Sequence, residues 1–495
     1  MNSLVLLLIS SSLILFKLGT LGLLETSEAR YAEIAYEMAK SGDWLTPRIW
    51  HVTDFQKPPF VYWATALSYK IFGPSEFAAR FPAALCAILA LLVCYHLGKT
   101  LFNKRVGFYA ALLLLASPLY LGASKILNLD IFVLLCVALM FLMFLKNRYF
   151  FFYFFMGISI LVKGPMALFY VIPTLLIFLG LTQNFSKLKK MYLVPGFLLC
   201  LFISTPWFIW ESIQFKDKEL WKFFVYGQVG GRFLPFIKAF EPYYKNKILL
   251  PTKPFYYYFS ILWPSFFPSI LGLISYRKEL NFLKTPQTLF LLSWLFAPLI
   301  LLSLLSVKQP LYIVSLAVPL ALLAAYSLNH LIERLPPSER ILRFSFLFFF
   351  VLIFVGHFLI PHYEHHTKSV KAFSPFLSAH SDSKIVLYQV VLRAIPFYTN
   401  NKRPIYINTR DPVGSRHFDL MFEPPQNYSN YFLLNYHNLD SLMEIVRMPT
   451  KTFVFIGHHE WENILKAASE KNIPLFFCHK IRKYMLISNF NCLAE

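Results

Sequence analysis

A few charged side chains stand out from the 495 residues because only 15% of the chain is charged: the cations Lys57, Arg30, Arg232, Lys308 and Lys163, and the carboxylates Asp130 and Glu28. Charges kept close to apolar, membrane-length segments are costly, so each is a candidate for function. Cations of this kind hold an anion and stabilise it as it departs. A carboxylate beside them positions an acceptor or takes its proton. Lys57 directly precedes Pro58-Pro59, which predicts a helix start, because proline in a first turn gives up no hydrogen bond. The open N–H groups and the dipole of such a helix end favour an anion, phosphate above all. The plainer alternatives are a loop that anchors to lipid headgroups, lysines that snorkel, and Asp130 as a helix-end cap.

Residues 25–75 form the longest polar interruption of the apolar first half and carry most of these groups. Two short helices are expected there, one over residues 28–40, stopped by Ser41-Gly42, and one from Pro58-Pro59 onward. Hydrophobic residues make up 57% of the chain, in repeated runs of spanning length, which excludes an ordinary soluble protein. The pattern predicts an all-α polytopic membrane protein with about eleven spans, near residues 4–24, 77–98, 106–123, 128–145, 149–162, 166–181, 191–210, 255–275, 288–305, 311–330 and 343–361. If the spans alternate, five basic loops share one side: Lys99, Lys104 and Arg105; Lys146 and Arg148; Lys187, Lys189 and Lys190; Arg277, Lys278 and Lys284; Arg334, Arg340 and Arg343. The positive-inside rule makes that side cytoplasmic. Residues 25–75, the loop 211–254, the turn at Lys308 and everything after residue 362 then face outward.

The formal net charge of +21 comes from 47 Lys and Arg against 26 Asp and Glu, and the basic loops account for it; no nucleic-acid motif accompanies it. After residue 362, short alternating runs at 384–389, 403–408, 431–434, 452–456 and 483–488, with a helical stretch over 461–471, predict a small α/β domain outside the membrane. The expected division is thus 1–362 for the membrane part and 363–495 for that domain. Cys86, Cys94, Cys136 and Cys200 lie in apolar runs, whereas Cys478 and Cys492 can pair in an oxidising compartment. His365-His366 and His458-His459 lack further ligands at metal spacing, so neither pair predicts a metal site.

Several cations, one or two carboxylates and an apolar surround at the outer bilayer surface suit a sugar carried on a polyprenyl phosphate. No glycine-rich phosphate loop is present, so no nucleotide and no other cofactor is expected. The run SEARYAEIAYEMAKSGDWLTPR, followed by FQKPPFVYWATALSYKIFGPSEFAARFPAAL, resembles the first outer loop of the membrane glycosyltransferases that add aminoarabinose to lipid A, which group with the protein O-mannosyltransferases in the GT-C fold. Asp130 in LNLD, the LVKGP turn at Lys163, Pro206-Trp207, Gly231-Arg232-Phe233, residues 254–258 and SVKQPLYIVSLAVPLAL match in order, over about the first 330 residues. The resemblance implies that Lys57 and Arg232 grip the lipid phosphate, that Arg30, Tyr31, Lys163, Lys308 and Tyr312 line the donor pocket, and that Asp130 is an acidic residue of the site.

The chain also departs from the family pattern. Ser27-Glu28 stands where the family has Asp-Glu, so the usual first-loop carboxylate is missing and Glu28 or Glu25 is the candidate to replace it. Gln56 and the run Gln228-Val229-Gly230-Gly231 replace potential metal ligands, so no divalent metal is expected. A phosphate acceptor is already ionised at neutral pH and needs no base, whereas a Ser or Thr hydroxyl without one loses about 10² to 10⁴ in rate. This favours a phosphate-bearing lipid such as lipid A, with a protein hydroxyl as the second enzyme reading. A lipid-sugar transporter and an inactive lipid-binding relative are the readings outside catalysis. The first predicts two related halves with broken helices, and no internal repeat is seen.

Overall fold

The computed structural model describes residues 2–25, 27–49, 52–214, 253–274, 285–305, 307–334, 369–399, 405–407, 439–481 and 484–493, with isolated positions between 346 and 355. The chain divides into two units, one of residues 1–18, 55–64 and 80–358, the other of residues 19–54, 65–79 and 359–495. Residues 25–75, which the sequence reading kept with the membrane part, are shared between them.

The first unit is helical. Every expected apolar segment before residue 335 contains a helix. Among the described residues, five helical stretches are long and apolar enough to cross a bilayer: Glu76–Leu101, Tyr149–Leu181 (the helices Tyr149–Lys163 and Leu168–Leu181 taken together), Leu193–Gln214, Pro286–Leu304 and Pro310–Glu333. Lys104–Leu115 and Pro118–Ser124, expected as one span, are bent by 70° at Ala116-Ser117. Asn2–Leu15 and Asp130–Leu145 have 14 and 16 residues, about 21 and 24 Å of helix, short of the hydrocarbon thickness if they stand alone. The expected span at 343–361 lies almost wholly outside the described residues. Helices Glu76–Leu101 and Lys104–Leu115 fold back on one another where Gly98 meets Gly107; a Cβ on Gly98 would lie 2.5 Å from the Gly107 Cα, so only glycine allows this approach. Phe141, Phe290 and Trp294 fill the interior, with Phe141 4.4 Å from Trp294 and 5.3 Å from Phe290 between ring centroids.

In the second unit the helices Ser27–Ser41 and Phe60–Phe72 form where the sequence predicts them, the latter contributing from residue 65 onward. Strands β1 (Arg48–Ile49) and β2 (Val52–Thr53) make a small antiparallel pair. A five-stranded sheet follows, β3 (Lys384–Tyr388), β4 (Ile405–Ile407), β5 (Thr452–Gly457), β6 (Phe476–Ile481) and β7 (Tyr484–Ser488), in the order β4-β3-β5-β7-β6. β3, β4 and β5 are parallel; β7 runs antiparallel to both β5 and β6. Helices Leu439–Arg447 and Trp461–Glu470 pack Leu442 and Ile464 against Val386, Val454 and Ile487 of the sheet. The expected run at 431–434 lies outside the described residues. β6 escapes the alternation test because both Phe476 and Phe477 are exposed and the register shifts between Phe477 and His479.

Cys478 and Cys492 form a disulfide, as their pairing predicts for an oxidising compartment. Closing a loop of 14 residues stabilises the fold by about 3 kcal/mol in the chain-entropy account. A Cys478→Ala/Cys492→Ala variant is expected to lose about that much in denaturant unfolding of the second unit.

Candidate active site

In the first unit, the LNLD turn is built by Asn128. Its amide donates to the Ala123 and Ile126 carbonyls, at 2.7 and 2.9 Å, and its oxygen accepts from the Ile131 N–H at 3.1 Å. Asp130 is thereby set at the first position of the helix Asp130–Leu145, where the dipole favours its negative charge. Lys163 ends the helix Tyr149–Lys163, where the dipole favours a cation. The chain turns away through Gly164 at φ 64°, ψ −149°, a conformation that a side chain would strain. Lys163 Nζ donates to Asp130 Oδ1 at 2.5 Å, with both side chains nearly withdrawn from solvent, 7% and 11% exposed. The same ammonium lies 4.6 Å from the centroid of the Tyr312 ring. Tyr312 is fixed by a 3-10 helix over Pro310–Leu316 and by the Tyr170 hydroxyl, which donates to its carbonyl.

Lys308 is buried, and its ammonium donates to the carbonyls of Leu305 and, at 2.8 Å, Lys253; burial pushes its pKa down. Its ammonium therefore ties the end of helix Pro286–Leu304 to the segment before helix Tyr257–Ile274. Lys57 is half-buried in the turn before Pro58-Pro59, and the Trp63 N–H bond to the Pro59 carbonyl, 2.9 Å, closes the first turn of helix Phe60–Phe72. Phe60 meets Phe132 edge to face at 6.5 Å. The helix start that follows Lys57 and the one that carries Asp130 are thus neighbours. Arg232 lies outside the described residues.

In the second unit, Arg30 and Asp54 form a two-point ion pair: Nε to Oδ2 at 2.7 Å and Nη2 to Oδ1 at 2.6 Å, with exposures of 12% and 2%. Asp54 directly follows β2, and its N–H donates to the Pro47 carbonyl at 2.8 Å. Tyr31 is buried one residue on. Glu28 turns back over the helix start, its Oε2 accepting from the Leu24 N–H at 3.0 Å. Glu25 accepts from the N–H groups of Arg393 and Ala394, at 2.7 and 2.8 Å. Both acids offered by spacing as replacements at the head of the loop helix therefore have backbone partners. No group of three or more His, Cys, Asp or Glu able to hold a metal occurs among the described residues.

The structure joins Asp130, Lys163 and Tyr312 into one cluster. Asp54 is the residue that motif reading passed over, although its charge was visible; an acid 24 residues from its arginine leaves no periodic signal.

This fold, an apolar helical bundle with a small mixed sheet, is shared with a solved structure. The crystal structure of ArnT from Cupriavidus metallidurans bound to undecaprenyl phosphate has this fold, with a TM-score of 0.78 and 19% identity over 99% of this chain and 98% of that one. Residues 56–210 match the family described as dolichyl-phosphate-mannose-protein mannosyltransferase. An undecaprenyl phosphate-alpha-4-amino-4-deoxy-L-arabinose arabinosyl transferase of Pseudomonas fluorescens is 28% identical over 328 residues, 63% of this chain and 57% of the relative. Its counterpart in Proteus mirabilis is 28% identical over 330 residues, 63% of this chain and 56% of the relative. The matched stretch thus spans less than two thirds of these relatives.

Proposed function

We propose that this chain is an integral-membrane glycosyltransferase that moves a sugar from an undecaprenyl phosphate carrier to an envelope acceptor such as lipid A. The observation that carries the reading is the cluster of Asp130, Lys163 and Tyr312 on the helix end that neighbours the one following Lys57. Lys57, with Arg232, grips the donor phosphate and stabilises it as it leaves. Lys163 holds Asp130 in place, so that Asp130 orients the acceptor. Arg30, Tyr31, Lys308 and Tyr312 keep the donor-side roles that the resemblance implies, Arg30 and Lys308 with the partners described above. The relatives' names support the donor and the amino sugar.

The membrane part, 1–362 with eleven spans, sits in the cell inner membrane, and the site and residues 363–495 face the periplasm. The Cys478–Cys492 disulfide supports that side. Purified protein given labelled undecaprenyl-phosphate sugar and lipid A is expected to label the lipid, and lipid A from cells lacking the protein to lose the matching mass. No label and an unchanged lipid A spectrum would remove the reading. The match of residues 56–210 to a protein mannosyltransferase family favours a second acceptor, a protein hydroxyl. Intact masses of secreted proteins from the same cells separate the two.

A further inference from the structure

Glu33 lies on the loop helix Ser27–Ser41, two turns from its start, and is fully buried. Neither of its carboxyl oxygens has a hydrogen-bond partner. The Phe397 backbone is near enough to favour the charged form slightly without making a bond of normal geometry. Tyr69, on the neighbouring helix and close to Glu33, donates instead to the Ala32 carbonyl at 3.4 Å. A bare carboxylate in such a place costs several kcal/mol, and taking up a proton removes most of that cost.

The surroundings push the same way. Glu37, one turn further, and Glu25, before the helix, both repel a charge on Glu33, and Lys40 on the same helix opposes them. Lys40 lies over the Tyr36 ring at 5.7 Å. Glu33 also faces Tyr36 of its own helix, whose ring meets that of Phe397 at 5.8 Å, and Tyr69 of the helix Phe60–Phe72. Burial, with repulsion by Glu37 and Glu25, holds the Glu33 pKa well above the carboxylate range, and burial lifts Glu25 from 4.5 to about 7 against the help of Ala394 and Arg393. Tyr484 of β7 is a further ionisable neighbour of Glu25. Glu76 is already matched by Lys371 at 3.1 Å and by the Tyr398 hydroxyl at 3.2 Å.

These acids sit where residues 369–398 are fastened to the first loop within the second unit. Glu25 holds the N–H groups of Arg393 and Ala394; the Tyr398 hydroxyl accepts from the Leu23 N–H at 2.8 Å; Leu24 bridges to Ser369; Lys371 donates to the Thr20 carbonyl at 3.2 Å. We infer that this fastening is a proton-dependent latch: it is closed while the buried Glu33 carboxyl keeps its proton and opens when that proton passes to water. The sign follows from linkage. Both carboxyls bind protons more tightly in the closed state, so closure gains most below about 4.5, the value in the open chain, and the gain is lost as pH rises through about 7 for Glu25 and through the raised pKa of Glu33. The inference does not depend on the functional reading.

Hydrogen exchange on the intact protein in detergent, corrected for intrinsic rates, tests it. Opening measured at Arg393, Ala394 and Phe397 is expected to rise with pH above about 4.5, by up to about tenfold per pH unit for each linked proton, while helix Leu439–Arg447 keeps its protection. Glu33→Gln is expected to lower that slope by up to about tenfold per pH unit, leaving the part that Glu25 carries up to about 7. A wild-type profile independent of pH between 5.5 and 8.5 overturns the latch without reference to any variant. Equal pH dependence in wild type and Glu33→Gln overturns the assignment to Glu33.

Discussion

Lys163→Met is expected to abolish detectable sugar transfer and to destabilise the purified protein by about 3–5 kcal/mol, because it strands the Asp130 carboxylate in a nearly dry site. The ion pair is short, and the Tyr312 ring occupies another side of the ammonium, so no rearranged water can stand in at low cost. The informative control is the double variant Asp130→Leu/Lys163→Met. Replacing a whole buried pair with apolar groups of similar volume is often neutral, so stability should return while transfer does not. Denaturant midpoints and the labelled-donor assay, read on the same preparations, separate the outcomes. A double variant as unstable as the single one would mean that the pair is needed for folding in its own right, and retained transfer would remove Asp130 from the chemistry.

Lys57→Ala is expected to lower kcat/KM by about 10² to 10³, with most of the loss in kcat, since a cation at the leaving phosphate acts where charge grows. Lys57→Arg keeps the charge but changes its shape, and should fall between the two. A change confined to KM would mean that Lys57 holds donor and transition state equally. Thermal stability should barely move, because Lys57 is half-buried in a turn whose helix start is set by Pro58-Pro59 and by the Trp63 bond to Pro59. That contrast with Lys163→Met makes the pair of variants diagnostic: one removes a ligand for the donor, the other a support of the fold.

What could be read from the sequence was local. The apolar runs gave the helices, Pro58-Pro59 and Ser41-Gly42 gave the ends of the loop helices, and the cysteine pair gave its bridge. Candidate charges were visible because charge is rare here. Their partners were not, since pairing is a matter of tertiary distance. Asp130 and Lys163 are 33 residues apart, and Glu25 and Arg393 are 368 apart. The same blindness hid the bend at Ala116-Ser117, where hydropathy alone runs on unbroken. It hid the depth of Glu33 too, because a glutamate on an amphipathic helix reads as solvent-facing until packing buries it.

The outermost strand β6 presents Phe476 and Phe477 to solvent, the kind of sticky rim on which a second copy could stack by backbone pairing. Its irregular register at Phe477/His479 and the cystine that straps Cys478 to the segment beyond β7 both spoil that template. Under reducing conditions half of this protection goes, and self-association through that rim should become the first symptom, ahead of any loss of helix.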